Sequence, residues 1–127
     1  MRTAFFVAAA LVITVLSGGT AETAEPEGPG TAATPVEHRR GEELFNTHCA
    51  ICHGDRGRGT HRGPTFLHRM YRPGHHGDYS FHLAVQRGVT AHHWRFGNMP
   101  RIEGLDENDV DEIIGYVRWL QRQAGIY

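Results

Sequence analysis

Apolar residues recur every three or four positions near the end of the chain, which is the spacing of one face of an α-helix. These residues are Val110, Ile113, Ile114, Val117 and Leu120, and they span about three helical turns. Asp106 stands where its side chain can cap this helix, with Asp109 at the third helical position. Acidic side chains near the start of a helix also stabilise it, because they interact with the positive end of the helix dipole. The pattern therefore predicts a long amphipathic helix that begins after Asp106.

Two shorter helices are predicted upstream. Residues 38–48 have helical periodicity around Leu44 and Phe45, and residues 79–87 carry a second apolar group made of Phe81, Leu83, Ala84 and Val85. The apolar stripe of the last helix needs a partner to cover it. Gly41 would let the backbone of the first helix approach closely, because it has no side chain. Together these segments predict an all-α domain.

The first residues of the chain have a different pattern. Met1 and Arg2 precede an apolar run over residues 4–16, and small residues follow as far as Ala21. This order is typical of a secretory signal peptide, so residues 1–21 are predicted to be removed after Ala21 and the protein to be exported to the periplasm. The alternative is an uncleaved membrane anchor. The apolar run is short for that role, since a spanning helix needs about 20 such residues.

Residues 22–37 consist mainly of Ala, Thr, Pro, Gly and Glu. This composition offers little to bury, so we predict a flexible acidic leader. Residues 38–127 then form the one globular domain, of a size at which a cofactor, metal or disulfide usually supplements the core. The 127-residue chain has a formal net charge of −1, which does not indicate a nucleic-acid-binding protein.

The most specific motif is Cys-x-x-Cys-His at Cys49, Cys52 and His53. Two thiols about one helical turn apart can each add to a vinyl group of a porphyrin and form two thioether bonds. A histidine directly after the second thiol is then held with one ring nitrogen directed at the haem iron. The motif therefore predicts one covalently attached haem c.

Two cysteines in an exported protein could also serve a redox, zinc-binding or disulfide function. A thioredoxin-type redox pair would follow a strand and open a helix, whereas this motif follows a helical segment and precedes a Gly-rich one. A zinc site would need two of the ten histidines, and no second ligand pair has the usual spacing. A plain disulfide between Cys49 and Cys52 is the remaining alternative.

The segment from Gly41 to Gly54 resembles the first helix and haem site of the class I cytochromes c, in which Gly and Phe precede the motif at these offsets. The Gly-rich loop with Gly63-Pro64, the Asn98-Met99-Pro100 loop and a final helix with Gly115-Tyr116-Val117 follow in the same order. The resemblance implies the cytochrome c fold for residues 38–127, with the first and last helices crossing where Gly41 and Phe45 meet Ile113 and Tyr116. It also implies that the Pro64 carbonyl accepts a hydrogen bond from His53.

The second axial ligand has several candidates in the sequence. Met99, Met70 and the spare histidines all offer donor atoms that iron accepts. Met99 lies well downstream of His53, and Pro100 restricts its backbone to an extended shape. Met70 lies among charged residues. In the class I cytochromes the sixth ligand comes from such a Met-Pro pair, so the resemblance implies His53 and Met99 as axial ligands.

Two histidine pairs, His75-His76 and His92-His93, are not explained by the resemblance. They could line the haem edge, replace the methionine ligand, bind a metal or simply be exposed loop residues, and the last is our expectation. Arginine is also concentrated in residues 53–101, whereas the chain has no lysine. The eight arginines are Arg56, Arg58, Arg62, Arg69, Arg72, Arg87, Arg95 and Arg101. They predict either an ordinary solvated surface or steering onto an acidic patch of a redox partner protein.

The resemblance implies a periplasmic carrier of single electrons and not an enzyme. Two other functions remain open. The haem could bind a peroxide or a diatomic gas if Met99 left the iron, which would make the protein an enzyme or a sensor. The chain could also be the cytochrome subunit of a larger oxidoreductase complex, with the leader as its tether.

Overall fold

The computed structural model describes residues 32–127. The predicted signal peptide, residues 1–21, lies outside the described residues, as do residues 22–31 of the predicted leader. Four α-helices follow one another: α1 (Arg39–His48), α2 (Ala50–His53), α3 (Asp78–Arg87) and α4 (Glu107–Gln123). Three short 3-10 helices lie in the connections, at Val36–His38, Asp55–Gly57 and Arg69–Tyr71. The described part of the chain contains no β-strand, so the predicted all-α class is confirmed.

Helix α4 begins where its sequence predicts. The Asp106 carboxylate accepts a hydrogen bond from the Asp109 backbone N–H at 2.8 Å, and the Asp109 carboxylate lies 3.5 Å from the Asp106 backbone N–H. This reciprocal cap satisfies two of the backbone donors that a helix start leaves unpaired. All five residues of the predicted apolar stripe are buried.

The crossing of α1 and α4 forms the centre of the core. A Cβ atom at Gly41 would lie 2.0 Å from the carbonyl oxygen of Glu112 and 2.9 Å from Cβ of Tyr116, so only glycine fits. The rings of Phe45 and Tyr116 meet edge to face with their centroids 5.6 Å apart, and neither side chain is exposed. Ile113 belongs to the same buried cluster. The predicted crossing of the first and last helices is therefore confirmed.

Helix α3 packs against α4 through a second, smaller apolar cluster, which contains Val85 of α3 and Val110 and Ile114 of α4. Helix α3 ends at Arg87 and is followed by Gly88, which has a φ of 75°. The predicted helix over residues 79–87 is thus observed, one residue longer at its start. No helix within residues 32–127 has the length and apolar composition needed to cross a bilayer.

The last six residues of the predicted leader are part of the fold. The Arg56 guanidinium donates a hydrogen bond to the Ala32 carbonyl at 2.8 Å, and the Thr34 hydroxyl donates to the Glu42 carboxylate at 2.8 Å. The expectation of a structureless leader is therefore wrong for residues 32–37. It rested on the lack of apolar residues to bury, whereas polar contacts with Arg56 and α1 hold this segment.

Arg118, on α4, holds the connection that leads into α3. Its guanidinium donates hydrogen bonds to the carbonyl oxygens of Tyr71 at 2.8 Å and His76 at 2.5 Å, and to the Asp78 carboxylate at 2.8 Å. It also donates to the buried Gln121 side chain at 2.6 Å. A planar guanidinium has enough donors for all four acceptors, which fixes residues 71–78 against α4.

Candidate functional site

Cys49, Cys52 and His53 lie on one turn of helix. Helix α1 ends at His48, and the backbone N–H groups of Cys52 and His53 donate to the Cys49 carbonyl at 3.1 and 2.9 Å. This turn places both sulfur atoms and the imidazole on the wall of a single cavity. The two cysteines are not joined to each other. Burial, and to a lesser degree the neighbouring Cys52, raise the pKa of the Cys49 thiol to about 11.

The His53 ring is held from two sides. Its Nδ1–H donates a hydrogen bond to the Pro64 carbonyl at 2.9 Å, and its face stacks on Phe66 with ring centroids 4.2 Å apart. A carbonyl can only accept, so Nδ1 carries the hydrogen and Nε2 keeps its lone pair. Burial lowers the pKa of His53, which is 8% exposed, although the Pro64 hydrogen bond opposes that effect. Burial thus favours the neutral imidazole, which is the form that a metal binds.

The loop that supplies Pro64 is tied to the Cys52 turn. The Thr60 hydroxyl donates to the Cys52 carbonyl at 2.6 Å, and the Thr60 N–H donates to the Gly63 carbonyl at 3.0 Å. A Cβ atom at Gly63 would lie 2.8 Å from the Cys52 carbonyl oxygen. This close approach brings the Pro64 carbonyl within reach of His53, so the contact implied by the resemblance is present.

The cavity has a volume of about 780 Å³, within the roughly 300–1,000 Å³ of ligand-binding pockets. Its wall comes from the end of α1, from α2, α3 and α4, and from the two segments that connect α2 to α3 and α3 to α4. Most of the wall is apolar, and its aliphatic and aromatic residues include Phe66, Phe81, Leu83, Val85, Val89, Ile102, Val110, Ile113 and Val117. Such a wall suits a large, flat, mainly apolar cofactor.

Met99 lies on the wall of this cavity, whereas Met70 does not line it. The Met99 N–H donates to the Val89 carbonyl at 3.0 Å, and the Val89 N–H donates to the Met99 carbonyl at 2.9 Å. This isolated antiparallel bridge closes the loop between the two residues and fixes the Met99 backbone. The side chain is partly buried.

Trp94 provides a buried polar group on the mainly apolar wall. Its indole Nε1 interacts with the Tyr71 side chain, but within residues 32–127 no acceptor meets full hydrogen-bond geometry. A buried donor without an acceptor costs about 1–3 kcal/mol. A bound group that carries a carboxylate would supply the missing acceptor.

The comparison with protein families agrees with these features. The family model described as "Cytochrome c" matches residues 38–121, which include both cysteines, His53, Pro64, Met99 and the paired helices. The chain belongs to the cytochrome c family. Its cofactor is therefore covalent haem c, and its function is electron transfer through that haem. A comparison with individual curated proteins gave no match.

The residues of this cytochrome fit haem c. Cys49 and Cys52 would carry the two thioether bonds, and His53 Nε2 would be the proximal ligand. The large apolar cavity would hold the porphyrin ring. The Nε1–H of Trp94 could donate to a haem propionate. The bound haem supplies an iron that changes between the ferric and ferrous states.

Two features of the site were missed in the sequence. The pairs His75-His76 and His92-His93 were treated as separate loop residues, yet the rings of His75 and His93 lie with their centroids 5.3 Å apart. Arg56 was grouped with the basic surface, although its side chain is only 15% exposed, lies over the Trp119 ring and pairs with Glu42. No local pattern signals either contact, because each joins segments that are distant in sequence.

Proposed function

We propose that this cytochrome is an exported, soluble carrier of single electrons whose haem iron has His53 and Met99 as its axial ligands. The observation that carries the proposal is that Met99 lines the same cavity as His53 while Met70 does not. His76, His92 and His93 also line it, but the Nδ1 atoms of His76 and His92 are held by backbone carbonyls. The thioether of Met99 would favour the reduced iron and raise its reduction potential.

The position of Met99 supports a permanent ligand. Its backbone is fixed by the two hydrogen bonds with Val89, and the loop between them holds a further bond from the Ala91 N–H to the Asn98 side chain at 2.9 Å. Pro100 restricts the Met99 backbone to an extended conformation. An iron with both axial positions filled transfers electrons without binding a substrate, which is why we favour a carrier over an enzyme.

Carbon monoxide binding by the reduced protein separates the carrier from a ligand-binding haem. The proposal predicts that the wild-type spectrum stays unchanged when carbon monoxide is added at neutral pH. The Met99→Ala variant should bind carbon monoxide readily, because an axial position is then open. Ready binding by the wild type would contradict the proposal and favour the enzyme or sensor.

We also propose that a redox partner docks at the mouth of the cavity through an acidic patch. Ile51 beside the cysteines is 67% exposed, and Phe96 is 42% exposed. Arg62 lines the cavity and is exposed, and Arg95 is exposed next to Phe96. An apolar centre with a basic rim suits transient docking, in which opposite charge accelerates encounter.

Stopped-flow measurement of electron exchange with an acidic redox protein tests this surface. Arg62→Glu and Arg95→Glu should lower the second-order rate at low ionic strength by at least about tenfold. The difference should shrink in high salt because the charges are then screened. Arg122→Glu is the matched control, since Arg122 is exposed and does not line this cavity. Equal rates for all three variants would contradict the docking surface.

Export to the periplasm is proposed from residues 1–21, and N-terminal sequencing of the protein from its native host tests it. The expected first residue is Glu22. An intact N-terminus in the membrane fraction would instead support an anchor. Co-purification with a larger oxidoreductase would support the alternative that this cytochrome is one of its subunits.

A further inference from the structure

Three histidines from two separate segments come together at the edge of the cavity, and two of them, His76 and His93, also line it. His75 and His76 precede α3, and His93 comes from the segment between α3 and Met99. One ring nitrogen from each residue lies within 4.8 Å of those of the other two. Imidazole is the preferred ligand of zinc and of several other divalent transition metals.

The separation of two of these nitrogens is compatible with a shared ion. Nε2 of His75 and Nε2 of His93 lie 3.4 Å apart and share a hydrogen bond, in which one ring donates and the other accepts. In a tetrahedral site with Zn–N bonds of about 2.05 Å, two ligand nitrogens lie roughly 3.3 Å apart. An ion that replaced the shared proton would therefore find these two nitrogens at the spacing of two tetrahedral ligands.

The hydrogen bond of His76 selects the correct tautomer for a ligand. Its Nδ1–H donates to the Met70 carbonyl at 2.6 Å, which leaves Nε2 with a free lone pair. Histidine ligands of metals usually donate the other ring N–H to a carbonyl or a carboxylate in this way. His92, whose ring lies 4.2 Å from that of His93, has the same arrangement and donates from Nδ1 to the Thr90 carbonyl at 2.8 Å.

The backbone that carries two of these histidines is fixed. The N–H groups of His75 and His76 both donate to the Arg72 carbonyl at 2.9 Å, and the His76 carbonyl accepts a hydrogen bond from the buried Arg118. These contacts fix the backbone of His75 and His76 before any ion binds, which lowers the conformational entropy lost on binding.

We propose that His75, His76 and His93 bind one divalent transition-metal ion, with Zn²⁺ as the ion whose geometry they fit. A water molecule would complete the tetrahedron. The ion would be separate from the haem iron, and it would join the connection before α3 to the segment that leads to Met99. The chain would thus carry a second metal beside its redox centre.

Titration of the intact haem protein with Zn²⁺ in a calorimeter tests the site. We expect one ion per chain and no change in the haem spectrum. His75→Ala and His93→Ala should each weaken binding by more than the roughly 10–100-fold that the loss of an outer-shell partner costs. His61→Ala is the control and should bind as the wild type does, since His61 is exposed and lies outside the three-histidine group. His75 and His93 are also exposed, so their variants should fold, and an unchanged haem spectrum checks this.

X-ray absorption at the zinc edge gives a second measurement that the haem iron does not disturb. The proposal predicts three imidazole nitrogens and one oxygen at about 2.0–2.1 Å from the zinc. Wild-type affinity in His93→Ala would overturn the site. So would a Zn²⁺ titration that alters the haem spectrum at the same stoichiometry, because the histidines would then act on the haem iron.

Discussion

The Nδ1–H of His53 donates a hydrogen bond to the carbonyl oxygen of Pro64 over 2.9 Å. This contact fixes the tautomer of the proximal imidazole and directs its remaining lone pair away from the loop. Its length depends on how closely Gly63 approaches the Cys52 turn. The hydrogen bond and the close approach can therefore be altered together by one substitution.

Gly63→Ala should weaken the hydrogen bond between His53 and Pro64. The new Cβ atom would lie 2.8 Å from the Cys52 carbonyl oxygen, so the loop has to move outward. We expect a stability loss of about 1–3 kcal/mol, typical of overpacking. The reduction potential should rise, because a less polarised imidazole donates less to the ferric iron. Spectroelectrochemical titration measures the potential, and a fall would contradict this role for Pro64.

Gly41→Ala should destabilise the crossing of α1 and α4. Alanine favours a helix over glycine by about 0.8–1 kcal/mol, so propensity alone predicts a gain. The Cβ atom would instead lie 2.0 Å from the Glu112 carbonyl oxygen. This oxygen belongs to the backbone of α4, so it cannot move aside as a flexible side chain could. Denaturant unfolding of the haem protein should show a net loss of about 1–3 kcal/mol or more.

Gly74→Ala is the matched control for both glycine variants. A Cβ atom at Gly74 would meet nothing within 4 Å. Its stability should stay within about 0.5 kcal/mol of the wild type. If the stability of Gly41→Ala also stayed within this range of the wild type, helices α1 and α4 would not cross as closely as described.

Arg118→Lys should loosen the connection before α3. A lysine ammonium cannot reach all the acceptors that the planar guanidinium serves. The His76 carbonyl therefore loses its donor, while the Tyr71 carbonyl keeps a hydrogen bond from Gln121 at 3.0 Å. The expected loss is about 1–3 kcal/mol for a buried acceptor left unpaired. Hydrogen exchange should also become faster over residues 72–77. Arg122→Lys, at an exposed site one turn later, should change neither measurement.

Alkaline pH should destabilise the protein through Tyr116. Burial, followed by the Glu42 carboxylate, raises the pKa of Tyr116 above its usual value of 10. Above pH 10 the unfolded chain therefore loses this proton while the folded chain keeps it, so stability falls as pH rises, by at most about 1.4 kcal/mol per pH unit. Tyr116→Phe should make the fall in stability between pH 8 and pH 11 smaller in denaturant unfolding. Part of the fall should remain, because burial also raises the pKa of Tyr71. Tyr79→Phe, at a residue that is 70% exposed, controls for loss of a phenol. An unchanged slope in Tyr116→Phe would contradict the assignment.

The helices and the haem motif could be predicted because their signals are local. The apolar spacing of α4 and its cap at Asp106 depend on neighbouring residues, and so does the turn that joins Cys49 to His53. Even the helix crossing was predictable from the resemblance, since Gly41 is needed only where another backbone approaches.

The histidine group and the start of the fold could not be predicted, because both depend on contacts between distant segments. His75 and His93 meet only when α3 is placed between their loops, and Arg118 holds one of those loops through backbone carbonyls. Arg56 holds the segment before α1. In the sequence, its charge indicated that Arg56 itself would lie on the protein surface. Side-chain type alone does not reveal which arginines are buried.

The optical spectrum of the oxidised protein tests the axial pair of His53 and Met99 most directly. The wild type should show the charge-transfer band of a methionine bound to ferric haem. Met70→Ala should keep that band, and Met99→Ala should lose it while both thioether bonds remain. A wild-type spectrum without the band, or a band that survives in Met99→Ala, would contradict the account.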